Sequence, residues 1–243
     1  MRSHKTSNYR PDIDGIRAIA VLSVVAFHAF PSLVPGGFVG VDIFFVISGF
    51  LITQIIVAEL DSGNFKIRNF YSRRIRRIIP SLLVALVVAL ILGWILLLPE
   101  DFTQFGSVLA GSSIFITNFV LFAQVNYFDV AAVEKPFLHL WSLSIEEQFY
   151  IFWPVILIVI YRLRRFAFAI SFVLLFASFG YAYAIHGSHE ELAFYSPLSR
   201  FWELLIGGIL AFIYLHHKEK LNLLNRFSVL PQLGSLVSLT LIY

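Results

Sequence analysis

Long apolar stretches alternate with short polar ones along the whole chain, and this pattern predicts helices that cross a membrane. A spanning helix needs about 20 mostly apolar residues. Eight segments approach that length: residues 16–34, 38–58, 78–98, 103–123, 141–161, 166–185, 200–215 and 228–243. The last segment stops at Tyr243 with no polar tail. We therefore expect residues 1–243 to form an incomplete membrane domain whose helix bundle is truncated at the C-terminus.

The distribution of Lys and Arg predicts the orientation, because basic residues concentrate in cytoplasmic loops. The loop from Lys66 to Arg77 has six basic residues and no acidic one, so this loop and the N-terminus are expected to be cytoplasmic. If residues 103–123 do not span, sixteen of the 18 Lys and Arg residues lie inside, and only Lys135 and Arg200 lie outside. If they do span, six lie outside.

The first arrangement is the better one, and it makes residues 103–123 a re-entrant or interfacial helix that is buried against protein. The predicted fold is therefore an all-α polytopic membrane protein with about seven transmembrane helices and one such helix. In this arrangement residues 126–138 are extracytoplasmic and residues 161–165 are cytoplasmic.

Composition supports a protein that lies in the lipid bilayer and excludes several other classes. The chain is 58% hydrophobic and 14% charged, whereas a soluble domain has about 25% charged residues. It has no Cys, which excludes disulfides, thiolate nucleophiles and Cys-bound metals. Nothing in the sequence indicates nucleic-acid binding.

The first two predicted helices carry ionisable groups that hydrocarbon disfavours. Arg17 and His28 lie eleven residues apart, about 16 Å along a helix, and on one face of it. A histidine deep in a span is a candidate base that could take a proton from a sugar hydroxyl, although it could also pack and bond to a carbonyl. Asp42 in the second helix could orient His28 across the short turn, or could make a structural hydrogen bond.

An arginine cluster opens the third helix, in the stretch FYSRRIRRIIP. Arg73, Arg74 and Arg77 lie on one or two adjacent helix faces. Guanidinium groups bind phosphate bidentately, so a phosphorylated cytoplasmic ligand is one interpretation. The other is a topology signal that contacts lipid phosphate.

Polar and aromatic groups crowd the predicted outer mouth of the span at residues 141–161. They are His139, Trp141, Ser142, Glu146, Glu147 and Tyr150. The aromatic residues could bind sugar faces or serve as interfacial anchors, and a glutamate, Glu146 above all, could orient a histidine or bind sugar hydroxyls. A metal held by His139 and Glu146 lacks an evident third ligand and is not expected. Arg200 and Glu203 follow at i and i+3, as an ion pair or as a substrate contact.

Together these stretches resemble acyltransferase family 3, the bacterial membrane O-acyltransferases of surface glycans. The motifs occur in the family's order: Arg17 and His28 as an Arg-x10-His pattern, then GGFVGVDIFFVISGFLI, FYSRRIRRIIP, LHLWSLSIEEQFYIFWP and RFWELLIGG. The resemblance implies transfer of an acyl group, usually acetyl, from cytoplasmic acetyl-CoA or another acyl-CoA to an extracytoplasmic glycan hydroxyl. It also implies that His28 is catalytic with Arg17 in support, that Arg73, Arg74 and Arg77 lie near the CoA phosphates, and that the protein lies in the bacterial cytoplasmic (inner) membrane.

The resemblance also implies parts that this chain does not contain. Family members have more helices, and those most like this chain often carry a C-terminal extracytoplasmic SGNH-type domain. Two other functions remain open at this point. A proton-coupled transporter or glycolipid flippase would use the same intramembrane His, Asp and Glu, and a sensor or scaffold would use no chemistry at all. The acceptor could be lipopolysaccharide O-antigen, peptidoglycan or an exopolysaccharide.

Overall fold

The computed structural model describes residues 11–125 and 137–216, and in that part of the chain the regular structure is helical throughout. The helices are α1 (Pro11–Ala29), α2 (Gly40–Asp61), α3 (Ile67–Leu96), α4 (Pro99–Ser113), α5 (Thr117–Val125), α6 (Leu140–Arg162), α7 (Ala167–His186), α8 (Glu190–Tyr195) and α9 (Pro197–His216), with short 3₁₀ turns at Gly37–Val39 and Arg164–Phe166. The predicted all-α fold is confirmed.

Five helices in the described residues are long and apolar enough to cross a membrane. They are Gly37–Asp61, Ile67–Leu96, Leu140–Arg162, Ala167–His186 and Pro197–Leu215, as expected for a multi-pass membrane protein. The predicted span 228–243 lies outside the described residues. The count of seven spans is thus not reached in the described part of the chain.

The first predicted span, residues 16–34, is wrong in its bounds. Helix α1 begins at Pro11 and ends at Ala29, because proline is favoured in the first turn of a helix and the stretch PSLVPGG interrupts the helix soon after residue 29. Asp12 and Asp14 occupy its first turn, where the helix dipole stabilises negative charge. These acids, together with Arg17, leave α1 less apolar than a typical span.

Helix α2 lies at the centre of the bundle and packs most closely against α9. A Cβ placed on Gly49 would lie 1.9 Å from the carbonyl oxygen of Leu204, and one placed on Gly207 would lie 1.9 Å from that of Val46. Only glycine allows backbones to approach so closely. On another side of α2, the Trp153 Nε1 of α6 donates a fully buried hydrogen bond of 2.7 Å to Thr53 Oγ1.

Helices α2, α6 and α9 run in the same direction. Near the start of α2, Phe45 packs edge-to-face on Trp141, and at its end Asp61 accepts a hydrogen bond from Tyr161. Along α9, Arg200 pairs with Asp42, whereas Gly208 lies near Thr53. We call the end of the bundle where these three helices begin the aromatic end, and the end where α2 and α6 finish the basic end.

Helices α4 and α5 form a short hairpin that returns to the aromatic end. The Gln124 side chain of α5 donates to the Gln104 carbonyl and to Ser107 of α4. The turn between the two helices reaches Gln148, whose amide donates 2.7 Å to the Phe115 carbonyl. Gln148 lies about 12 Å along α6 from Leu140.

This hairpin agrees with the expectation that residues 103–123 do not span. Because α3 runs opposite to α6, a single crossing by these residues would have reversed α6 relative to α2. The expected single helix is replaced by two helices, since residues 114–116 break it and Phe115 adopts a left-handed φ of 58°. Ile114 and Ile116 at the hairpin tip are exposed, but the polar residues beside the tip, Ser112, Thr117 and Asn118, are buried. The Thr117 N–H donates to Ser144 Oγ of α6, so these polar groups lie against protein, as a re-entrant segment requires.

Candidate functional site

An ion-pair network occupies the aromatic end, between α2, α6 and α9. Arg200 pairs with Asp42 and lies 3.1 Å (Nη1) from Glu203 Oε1. Its guanidinium also lies 5.7 Å from the ring centroids of both Phe45 and Trp141. Glu203 is 1% exposed, so Arg200 supplies the positive charge that this buried carboxylate needs.

This network confirms one interpretation of the sequence and corrects another. The ion pair between Arg200 and Glu203 is confirmed. The proposal that Asp42 orients His28 is wrong, because Asp42 pairs with Arg200, 158 residues away in the chain. The two helix starts bring that pair together, which the spacing of residues in the sequence does not show.

Next to the network, an open cavity of about 500 Å³ lies between α7, α8 and α9. Aromatic rings and polar groups line it together: Phe179, Tyr183, His186, Glu190, Phe194, Ser199, Arg200 and Trp202. His186 is exposed, ends α7 and lines this cavity. An aromatic wall beside hydrogen-bonding groups is a surface suited to a polar ligand with apolar faces.

A second group of hydrogen bonds holds Glu146 in the middle of the bundle. Ser48 Oγ donates 2.5 Å to Glu146 Oε1, and the Tyr150 hydroxyl donates to the same oxygen. Glu146 is therefore fixed by α2 and by its own helix, and no histidine in the described residues bonds to it. Ser48 was not among the residues singled out from the sequence, because a serine in an apolar helix gives no distinctive signal.

The three arginines predicted to bind phosphate have different surroundings. Arg73 is exposed and pairs with Glu59 at 2.6 Å. Arg74 is half-buried and places its guanidinium 4.8 Å from the ring centroid of Tyr150. Arg77 is exposed, and both it and Arg74 act electrostatically on Glu147.

Arg74 and Glu147 line the same cavity of about 200 Å³, between α3, α6 and the hairpin tip. Glu147 is 8% exposed, and its Oε1 accepts no hydrogen bond from any described residue. The Tyr71 hydroxyl also lines this cavity, and it donates a hydrogen bond of 2.6 Å to the Ile151 carbonyl of α6. Glu147, expected at the outer mouth of the span, thus lies with the arginines.

His28 lies in the last turn of α1 and is exposed, so the expectation that it lies deep in a span is wrong. Its Nδ1 lies 2.8 Å from the Val24 carbonyl. Because a carbonyl can only accept, Nδ1 carries a proton, and in the neutral imidazole Nε2 then has the lone pair that a general base requires. Arg17, on the same helix, lies 5.3 Å from the Phe44 ring and 3.8 Å from Asp14.

His139 lies close to His28 at the aromatic end. Burial of part of its ring, and then the charge of His28, lower the pKa of His139 below its ordinary value. The Ser142 hydroxyl donates a hydrogen bond of 3.0 Å to the His139 carbonyl, three residues earlier in the chain. The described residues contain no group of three His, Cys, Asp or Glu that could hold a metal.

Comparison of the sequence with known proteins assigns the chain to a family. Residues 10–243 match the family described as an acyltransferase domain. The chain belongs to this family. The resemblance drawn from its motifs is therefore confirmed, and the whole described bundle is part of the acyltransferase domain.

Two relatives are similar over most of this chain. A Staphylococcus aureus (strain MSSA476) protein named "Putative O-acetyltransferase" is 37% identical over 225 residues, which are 89% of this chain and 37% of the relative. The Listeria monocytogenes protein named "Peptidoglycan O-acetyltransferase OatA" is 36% identical over 213 residues, which are 85% of this chain and 34% of the relative. The chain spans about a third of the length of the curated relatives it matches. No solved structure matches it.

Proposed function

We propose that the full-length protein is an O-acyltransferase that moves an acetyl group from cytoplasmic acetyl-CoA to a hydroxyl of an extracytoplasmic glycan. The observation that carries this proposal is the opposite chemistry of the two ends of the bundle. Arg200 lies among aromatic rings at the aromatic end, whereas the arginine cluster of α3 begins near the end of α2, where Arg73 pairs with Glu59, and Arg162 occupies the last turn of α6. A phosphorylated donor and a neutral sugar acceptor require such different surroundings.

The acceptor belongs to the aromatic end in this proposal. The open cavity beside Arg200 offers Trp202 and Tyr183 as stacking surfaces, and His186 and Glu190 as hydrogen-bonding groups. The name of the Listeria relative makes peptidoglycan the acceptor that we favour. This assignment places the N-terminus in the cytoplasm and the protein in the bacterial cytoplasmic membrane.

The reaction needs a base, and His28 is the one that we assign. Its Nε2 takes the proton of the glycan hydroxyl as the hydroxyl oxygen attacks the thioester carbonyl. The new C–O bond forms, the C–S bond breaks, and the thiolate of CoA leaves and is protonated. Arg17 and Glu146 support this centre from α1 and α6, and Arg74 and Arg77 hold the donor phosphates. Further helices and an SGNH-type domain in the rest of the protein complete the acceptor side.

Mass spectrometry of surface glycans tests the proposal directly. Cells that carry the full-length gene are compared with cells from which it is deleted, and with the deletion strain complemented in trans. We expect O-acetylated peptidoglycan in the cells that carry the gene and in the complemented strain, and its loss in the deletion strain. Unchanged acetylation of every surface glycan in the deletion strain would exclude the function, and a transported lipid or sugar would then be sought instead.

A further inference from the structure

The cavity shared by Arg74 and Glu147 contains a buried polar atom that the protein itself does not satisfy. Glu147 is more than nine-tenths buried, and its Oε1 has no hydrogen-bond partner in the described part of the chain. Buried polar groups are nearly always hydrogen-bonded, because leaving one unpaired costs the whole of its lost hydration. Such an atom at the wall of a cavity points to a ligand that donates to it.

The other groups at this cavity do not supply that donor. The Tyr71 hydroxyl donates to the Ile151 carbonyl, and the Tyr150 hydroxyl donates to Glu146. Arg74 turns its guanidinium over the Tyr150 ring instead of pairing with Glu147. Glu147 is thus the acceptor that remains among the polar side chains that line the cavity.

The lining defines the chemistry of the ligand. Ile75, Ile78 and Ile79 of α3 make one wall apolar, and Arg74 contributes a positive charge. The ligand that fits is a narrow, partly apolar chain that carries an N–H or O–H donor for Glu147 and an anionic group for Arg74. A volume of about 200 Å³ holds part of such a chain, not a sugar ring with its substituents and linkages.

We propose that Glu147 binds an amide N–H of the pantetheine arm of the acyl-CoA donor, while Arg74 faces the phosphate that begins this arm. The inference rests on the proposed function and moves Glu147 from the acceptor side to the donor side of the reaction. It gives α6 two roles, since the neighbouring Glu146 is held by Ser48 and Tyr150 on a different face of the helix.

Ligand binding to the purified full-length protein in detergent tests this assignment. The probes are coenzyme A, and adenosine 3′,5′-bisphosphate, which has the nucleotide but lacks the arm. Glu147→Leu fills the site without an acceptor, Glu147→Gln keeps a carbonyl oxygen that accepts, and Glu191→Leu on exposed α8 is the matched control. We expect Glu147→Leu to weaken coenzyme A binding by about tenfold or more and to leave the bisphosphate unaffected.

The controls separate the possible outcomes. Glu147→Gln is expected to bind coenzyme A within about threefold of wild type, since a neutral acceptor recovers most of one hydrogen bond. Wild-type coenzyme A affinity in Glu147→Leu, with glycan acetylation intact, would overturn this inference and leave the proposed function standing. A phospholipid that co-purifies with wild type and not with Glu147→Leu would assign the cavity to lipid. A wild-type protein that binds neither probe would contradict the donor assignment itself.

Discussion

At the scale of single residues, the charge on Arg200 decides whether two carboxylates can remain at the aromatic end. Glu203 is buried and Asp42 is half-buried, and both face the same guanidinium. Removing one partner of a buried ion pair leaves an uncompensated charge, which costs more than the pair contributes. Arg200 is therefore first a stabilising residue, and a substrate role has to be shown separately.

We expect Arg200→Met to destabilise the protein by about 3–5 kcal/mol. The double variant Arg200→Met/Glu203→Leu should recover much of that loss, because it removes the more buried of the two stranded carboxylates. Thermal unfolding of the full-length protein in detergent measures the stability of the single and the double variant. Equal midpoints for the single and double variants would mean that Glu203 does not depend on Arg200.

At the scale of helices, the contact between α2 and α9 determines where the site residues meet. Gly49 and Gly207 allow these helices to touch through their backbones, and the contact holds Asp42 beside Arg200. Small residues are the usual means of close helix packing in membranes. Any side chain at these positions must push the helices apart.

Gly49→Ala and Gly180→Ala form a matched pair that tests this contact. The new methyl group at position 49 would lie 1.9 Å from the Leu204 carbonyl oxygen, whereas nothing lies within 4 Å of one at position 180 in α7. We expect Gly49→Ala to reduce folded protein severely, and Gly180→Ala to be neutral or stabilising by up to about 1 kcal/mol. Similar yields of monodisperse protein for both variants would show that the close contact is not required.

The predictability of this fold from the sequence depends on the range of the interactions involved. The run of apolar segments predicted the helices, and the distribution of Lys and Arg predicted that residues 103–123 do not span, because both signals follow from the order of residues along the chain. The division of that segment into two helices was not predicted. The pairing of Asp42 with Arg200 and the position of Glu147 beside Arg74 could not be predicted, since helix packing alone brings them together. The end of α1 was placed too late because the apolar run continues past Ala29, although Pro31 and Pro35 disfavour a continuing helix.

At the scale of the whole molecule, the parallel direction of α2, α6 and α9 fixes which loops share a side of the membrane. Leu163 follows the end of α6 at the basic end, and Ser188 follows the end of α7 at the aromatic end. The native chain has no Cys, so a single introduced Cys reports its own position without background. The two positions must therefore lie on opposite sides.

Labelling with an impermeant thiol reagent distinguishes these sides in intact cells. We expect a Cys at position 188 to react from outside, and a Cys at position 163 to react only after the membrane is opened, because basic loops remain in the cytoplasm. The reverse pattern would invert the proposed orientation. Labelling of both positions from outside would contradict the parallel arrangement of α6 and α9.

A transfer assay with radiolabelled donor tests whether His28 acts as the base in acyl transfer. Membranes with the full-length protein are incubated with radiolabelled acetyl-CoA, and label on the glycan is measured for wild type, His28→Gln and His186→Gln at equal abundance. Positioned base catalysis contributes typically 10²–10⁴-fold, so His28→Gln should lose at least about a hundredfold in rate. His186→Gln, a change of the same chemistry at the proposed acceptor cavity, should alter the apparent affinity for glycan more than the maximal rate. Wild-type transfer by His28→Gln would exclude His28 as the base and leave it as a packing residue at the end of α1.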